Sequence, residues 1–261
     1  MFNYQFVRST VVRSTLWLEF NRPPVNAFNR QMVDEVHAAL TAAIENPAVR
    51  VIVLASARDN YFSAGADLTV FRGMTSDGMR AWVGQCHRIA RTLRASPKPL
   101  LAAINGTAVG GGLEMTLHCD VRFAASDARL GQPEIQIAFI PPIAATQALV
   151  RLIGRPRTLQ YMYSGDLVVA EQARAWGLVD EVVTPETLRT RVQDYADELS
   201  AKSSVALAAI RRTVTLGGGL TFDDGMDLEL EAAVALAGEE DFAEGIDAFL
   251  SKRAPVWRTP G

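Results

Sequence analysis

The sequence predicts an α/β core followed by a helical C-terminal extension. Two patterns predict it. Short apolar, β-branched runs alternate with stretches of helical period as far as about residue 184, and beyond Pro185 only helical period remains. Composition agrees: 261 residues, 49% hydrophobic and 21% charged, supply a sizeable core and carry no signature of disorder.

Taken in order, Tyr4–Val7 and Leu16–Phe20 read as strands, and the turn-rich NRPPVN follows. Met32, Val33, Val36, Leu40, Ala43 and Ile44 then fall at helical spacing, with Asn29 available as a cap and Asn46-Pro47 as a stop. Val49–Ala55 is an unbroken apolar run, which reads as a strand buried on both faces. A loop over Ser56–Leu68 leads to a helix around Gly78–Leu93 and a second buried strand at Leu100–Ile104. Gly110-Gly111-Gly112 opens a helix over about Leu113–His118, and Val121–Ala125 is a further strand. Helices near Ala144–Ile153 and Ala170–Trp176 precede a last strand within Leu178–Val183. Three or four helical segments, separated by Gly217-Gly218-Gly219 and Gly238, complete the chain. The expected division is a core over 1–195 and a helical extension over 196–261.

Several function classes fall away. The net charge is -3, without the basic surplus that nucleic acid binding needs to displace counterions. No apolar run is long enough to span a bilayer, and the first twenty residues alternate without a basic end and apolar stretch, so neither membrane nor signal peptide is expected. Two cysteines, Cys86 and Cys119, form no CxxC and no cysteine/histidine cluster, which predicts no metal site and no disulfide framework. His37, His87 and His118 receive no role. The expected setting is the cytoplasm.

Four features carry chemistry. Phe62-Ser63-Ala64-Gly65-Ala66-Asp67-Leu68 is a small-residue loop shortly after a buried strand. Ile104-Asn105-Gly106-Thr107-Ala108-Val109-Gly110-Gly111-Gly112-Leu113-Glu114 runs from a strand into a helix, and its glycines admit close backbone approach and expose amides at a helix start, where negative charge is stabilised. Glu114 sits in that helix's first turn, and Glu134 lies in Gly131-Gln132-Pro133-Glu134-Ile135. Alone, Glu114 is explained as a first-turn acid and Glu134 as an exposed loop residue. Together they form a carboxylate pair beside exposed amides, suited to adding water across a conjugated thioester: one carboxylate handles water at the β-carbon and the other a proton at the α-carbon. Ser63 has no G-x-S-x-G context and no placed histidine, so it is not read as a nucleophile. GGG is neither a dinucleotide fingerprint nor a Walker A loop.

NRPPVNAFN, FSAGADL, INGTAVGGGLE, LGQPEI, YSGDLVVAEQARAWGLVDEVV and EGIDAFLSKRAPVW, in that order, resemble segments of the crotonase, or enoyl-CoA hydratase/isomerase, superfamily across essentially the whole chain. The resemblance implies the crotonase fold, a ClpP-like spiral of ββα units with a C-terminal helical region that builds trimers, commonly paired into hexamers. It implies an acyl-CoA thioester substrate, with coenzyme A part of that substrate and no separate cofactor. The thioester oxygen lies between two backbone amides, here Ala66 in FSAGADL and Gly111, the middle glycine of GGG. Loss of one such donor costs about 3–4 kcal/mol of transition-state stabilisation. Substrate contacts follow along the same segments: Ala27 from NRPPVNAFN, Ala64, Asp67 and Leu68 from FSAGADL, then Gly110, Pro133 and Ile143. The family's lysine shortly after the FSAGADL motif is Thr69 here, with Arg72 as a substitute for its phosphate contact, and Lys252 matches a tail lysine that in the family approaches the CoA phosphates from the neighbouring subunit.

Hydratases of this kind carry glutamate at both acidic positions, and Glu114 and Glu134 reproduce the pair at the family spacing of 20 residues. The resemblance therefore implies hydration, with Glu114 activating water and Glu134 serving the α-carbon. The rivals are a Δ3,Δ2-enoyl-CoA isomerase, which needs one carboxylate, and a non-catalytic acyl-CoA-binding member. A ClpP-like peptidase fails for want of a Ser/His/Asp arrangement. One segment departs from the family: Ile140-Pro141-Pro142-Ile143-Ala144-Ala145-Thr146-Gln147 stands where hydratases have glycine-rich IPGAGGTQ. The added bulk and stiffness point to a branched or cyclic acyl group.

Overall fold

The computed structural model describes residues 4–257. Two sheets organise the core. The larger has six strands in the order β1-β2-β3-β5-β7-β10: β1 (Val7–Val12), β2 (Thr15–Phe20), β3 (Val51–Ser56), β5 (Leu100–Ile104), β7 (Val121–Ala125) and β10 (Glu181–Val183). Its neighbours are parallel except the β1–β2 hairpin. The smaller sheet takes β4 (Tyr61–Ser63), β6 (Thr107–Val109), β8 (Arg129–Gly131) and β9 (Leu167–Val169), in that order. After β1 and β2, which both join the large sheet before α1, three successive turns (β3–β4, β5–β6, β7–β8) each give one strand to each sheet and then a helix or helical turn, which is the expected ββα spiral.

Burial follows from register. Along β3, Ile52 and Leu54 join the main core, while Val51, Val53 and Ala55 face the opposite side with Leu101, Ala103, Phe123 and Trp17. A central parallel strand covered on both faces has no need of a polar alternate, hence the unbroken VIVLA run. The main core is covered by α1 (Arg30–Glu45) and α2 (Ser76–Ala95). Asn29 caps α1 by accepting the Met32 amide at 2.9 Å, and Thr75 caps α2 by accepting from Gly78 at 3.1 Å. The short α3 (Gly111–Thr116) follows β6, and α4 (Ala145–Ile153), α5 (Arg155–Ser164) and α6 (Ala170–Trp176) follow β8.

The second face of the large sheet is closed by α7 (Pro185–Ser200) through Leu188, Val192 and Ala196. The division expected at residue 195 falls inside this helix. Beyond it, α8 (Ser204–Gly217) and α9 (Phe222–Ala237) pack on each other, and α10 (Glu240–Leu250) ends the tail. Arg211 of α8 ties the tail to the core. The residue is 5% exposed, and its guanidinium pairs with Asp120 at 2.9 Å and donates to the carbonyls of Leu93, Arg94 and Ser96.

Two sequence expectations need correction. The first strand is Val7–Val12, not Tyr4–Val7. It is an edge strand with only Val7 buried, so backbone pairing with β2 defines it and side-chain alternation does not. The loop expected over Ser56–Leu68 contains β4, and the other strands of the small sheet were likewise unforeseen. Each is three residues long, too short to show a period.

Candidate active site

The small sheet delivers the site. Its strands β4, β6 and β8 end, respectively, at the FSAGADL loop, at Gly110 and before Pro133-Glu134. Buried polar side chains brace the first of these. Asn26 donates to the Phe62 carbonyl at 3.0 Å, and the Ser63 hydroxyl donates to the Asn26 carbonyl at 2.8 Å while accepting from the Gly65 amide at 3.1 Å. Ser63 is therefore a loop brace. Arg22 adds a clamp, donating to the Ala27 carbonyl at 2.6 Å and pairing with Asp67 at 2.8 Å. That pairing and the Thr69 hydroxyl, the stronger influence, hold the Asp67 carboxyl below its ordinary range.

The two glycine-bearing loops meet closely. A Cβ on Gly65 would lie 3.0 Å from the Val109 carbonyl and 3.6 Å from the Gly111 nitrogen. Gly110 has φ 50 and ψ -131, a conformation that side chains resist, and its amide donates to the Gly131 carbonyl at 3.1 Å. Among the described residues, neither the Ala66 amide nor the Gly111 amide has a backbone acceptor, and Gly111 is the first residue of α3.

Both carboxyls converge here. Glu114 is fully buried, and its Oε2 accepts from the Ile143 amide at 2.5 Å. Burial first, and the charge of Glu134 second, raise its pKa well above the ordinary value. Glu134 faces Gly110: a Cβ there would stand 2.5 Å from its Oε1. Burial lifts Glu134 to about 7. One oxygen on each side chain, Oε1 of Glu114 and Oε2 of Glu134, is buried without a hydrogen-bond partner among the described residues.

A cavity of about 180 Å³ opens from this junction. Ala64, Ala66, Leu68, Gly110 and Gly111 line it, as do Pro133, Glu134 and Ile143. Its far walls, unforeseen from the sequence, include Phe28, Phe71, Trp82, Cys86, Met115 and Phe139. Glu114 stands behind the wall, gripping Ile143. Four expected contacts stay outside the lining. Ala27 and Asp67 are engaged by Arg22, Arg72 lies on an outer groove with Leu68 and Met79, and Lys252 is exposed just past α10. Arg22, Asn26 and Ser63 had no sequence signal beyond their place in NRPPVN and FSAGADL.

Known proteins resemble this chain over most of its length. A family model described as enoyl-CoA hydratase/isomerase matches residues 12–260. The chain is 35% identical over 237 residues to crotonyl-CoA hydratase of Syntrophomonas wolfei, covering 90% of this chain and 91% of that protein. It is 31% identical over 234 residues to short-chain-enoyl-CoA hydratase of Clostridium acetobutylicum, covering 89% and 90%. The crystal structure of enoyl-CoA hydratase from Bacillus anthracis matches with a TM-score of 0.93 at 31% identity, over 98% of this chain and 100% of that one. The chain belongs to the enoyl-CoA hydratase/isomerase family.

Proposed function

We propose that the protein is an enoyl-CoA hydratase that adds water across the 2,3-double bond of a thioester. The observation that carries the reading is the Glu134 carboxyl on the cavity wall beside the Ala66 and Gly111 amides, which have no backbone acceptor among the described residues, with the Glu114 carboxyl buried just behind that wall and within reach of the charge of Glu134. Those amides hold the thioester oxygen and the charge it gains. The water oxygen bonds to the β-carbon and its proton passes to Glu114. The electrons of the double bond move toward the thioester, and Glu134 delivers its proton to the α-carbon. The pair therefore starts with one proton and ends with one, which suits two acids that burial raises above the ordinary carboxyl range. Coenzyme A arrives with the substrate and no further cofactor takes part.

The walls favour a compact, branched or cyclic acyl group. On the lining Pro142 stands where the family segment has glycine and Ile143 where it has the smaller alanine, and Phe28, Phe71 and Phe139 close the space around them. Exposed apolar side chains on α9 and α10 support assembly of copies through the tail, as a trimer or a dimer of trimers. The test is a panel of straight, branched, aromatic and cyclic 2-enoyl-CoA thioesters with mass detection of the water adduct. Adduct formation is expected, with branched or cyclic chains preferred. Turnover confined to 3-enoyl-CoA, yielding the 2-enoyl isomer without water, overturns hydration. A clean preference for crotonyl-CoA overturns the acyl assignment.

A further inference from the structure

The cavity's deep wall carries a polar group that the chemistry above leaves unused. Trp82 is only 2% exposed and its ring forms part of the lining. Its indole N–H is buried and has no hydrogen-bond partner among the described residues. Phe71 stands perpendicular to the ring with centroids 5.4 Å apart, and the Arg30 guanidinium, a cation that cannot accept from an N–H, stands 6.0 Å over it. A buried indole donor is normally matched by an acceptor, and this ring borders the cavity.

Position along α2 fixes where such an acceptor sits. Cys86 lies one turn after Trp82 and feels the charge of Glu114, which places the Cys86 end of the wall by the carboxyls. Trp82, four residues earlier, is about 6 Å further along the helix. Among the other lining side chains, Phe28, Phe71, Met115 and Phe139 carry no N–H or O–H, and the Gln136 amide donates to the Gly165 carbonyl at 3.5 Å. Building on the hydratase reading, we infer that Trp82 is a specificity-determining residue whose indole N–H receives an oxygen carried by the acyl chain beyond its β-carbon, so that the preferred substrate is an oxygen-bearing enoyl thioester rather than a plain hydrocarbon one.

The experiment compares 6-oxohept-2-enoyl-CoA with 6-methylhept-2-enoyl-CoA, in which a methyl replaces the ketone oxygen. Wild-type enzyme is expected to favour the ketone by about ten-fold in kcat/KM, and Trp82→Phe, which keeps the aromatic wall, to bring the ratio close to one. A wild-type ratio near one, or a ratio that Trp82→Phe leaves intact, overturns the inference. A second readout does not depend on turnover or on the variant: the Trp82 indole N–H resonance should move downfield with the ketone and not with the methyl compound. Equal shifts overturn the inference. Failure to hydrate either thioester would instead count against the hydratase reading, and the resonance alone would then judge Trp82.

Discussion

At the scale of single residues, the carboxyl pair makes the sharpest demands. Replacing either Glu114 or Glu134 by Gln is expected to lower kcat for hydration by about 10²–10⁴, because each supplies a separate proton transfer. An isomerase would tolerate one of the two. The rate should trace a bell against pH, falling on the acid side as the pair takes a second proton and on the alkaline side as it loses the shared one. Stability runs differently. Glu134 rises from 4.5 unfolded to about 7 folded, so its contribution is complete below 4.5 and is lost as pH climbs through 7. Glu134→Gln should thus be more stable than the parent at pH 8, by roughly 2 kcal/mol, with the gap closing under acid; melting temperatures across pH decide this. Gly110→Ala should abolish most activity, since its Cβ would strike the Glu134 carboxyl at a φ of 50. A Gly110→Ala enzyme within ten-fold of wild type in kcat would show that Glu134 need not sit there. Both acids were legible in the sequence as a motif. That Glu114 acts from behind Ile143, and that Asp67 is spent on Arg22, was not, because partners separated by 29 and 45 positions leave no local trace.

Elements show where sequence reading works and where it fails. Helices α1 and α2 announce themselves by period and caps, and β3, β5 and β7 by apolar runs buried on both sides. The small sheet escapes because three residues cannot display a period, yet it is the element that brings the site loops together. The segment entering α4 tests the departure from the family. Ala144 adopts a left-handed φ of 59, which a Cβ opposes by about 1 kcal/mol, and its neighbour Ile143 is held at both ends, by Glu114 through the amide and by His118 through the carbonyl at 2.7 Å. Ala144→Gly should therefore raise stability in urea by somewhat under that amount, the extra freedom of the unfolded chain offsetting part of the relief. A loss of stability would mean the alanine methyl packs more usefully than it strains.

For the whole molecule, the tail raises the question of what covers it. Phe222 is 83% exposed, Phe249 84% and Leu250 74%, and Leu230 and Val234 of α9 are also exposed. A lone chain rarely presents so much apolar surface along consecutive helices. Sedimentation is expected to show an oligomer, and Phe249→Asp with Leu250→Asp to shift it toward monomer at unchanged core secondary structure. A wild-type chain that sediments as a monomer at all concentrations would refute assembly through the tail.

The late position of α7 has a consequence for how the chain is born. Trp17, Val51, Val53 and Phe123 emerge from the ribosome long before Leu188, Val192 and Ala196 arrive to shield them. Through that interval the nascent polypeptide presents an uncovered greasy sheet, the kind of surface that chaperones hold and that drives precipitation. Chains cut at Val183 should accumulate as insoluble material, whereas those extended past Ser200 should recover in the soluble fraction.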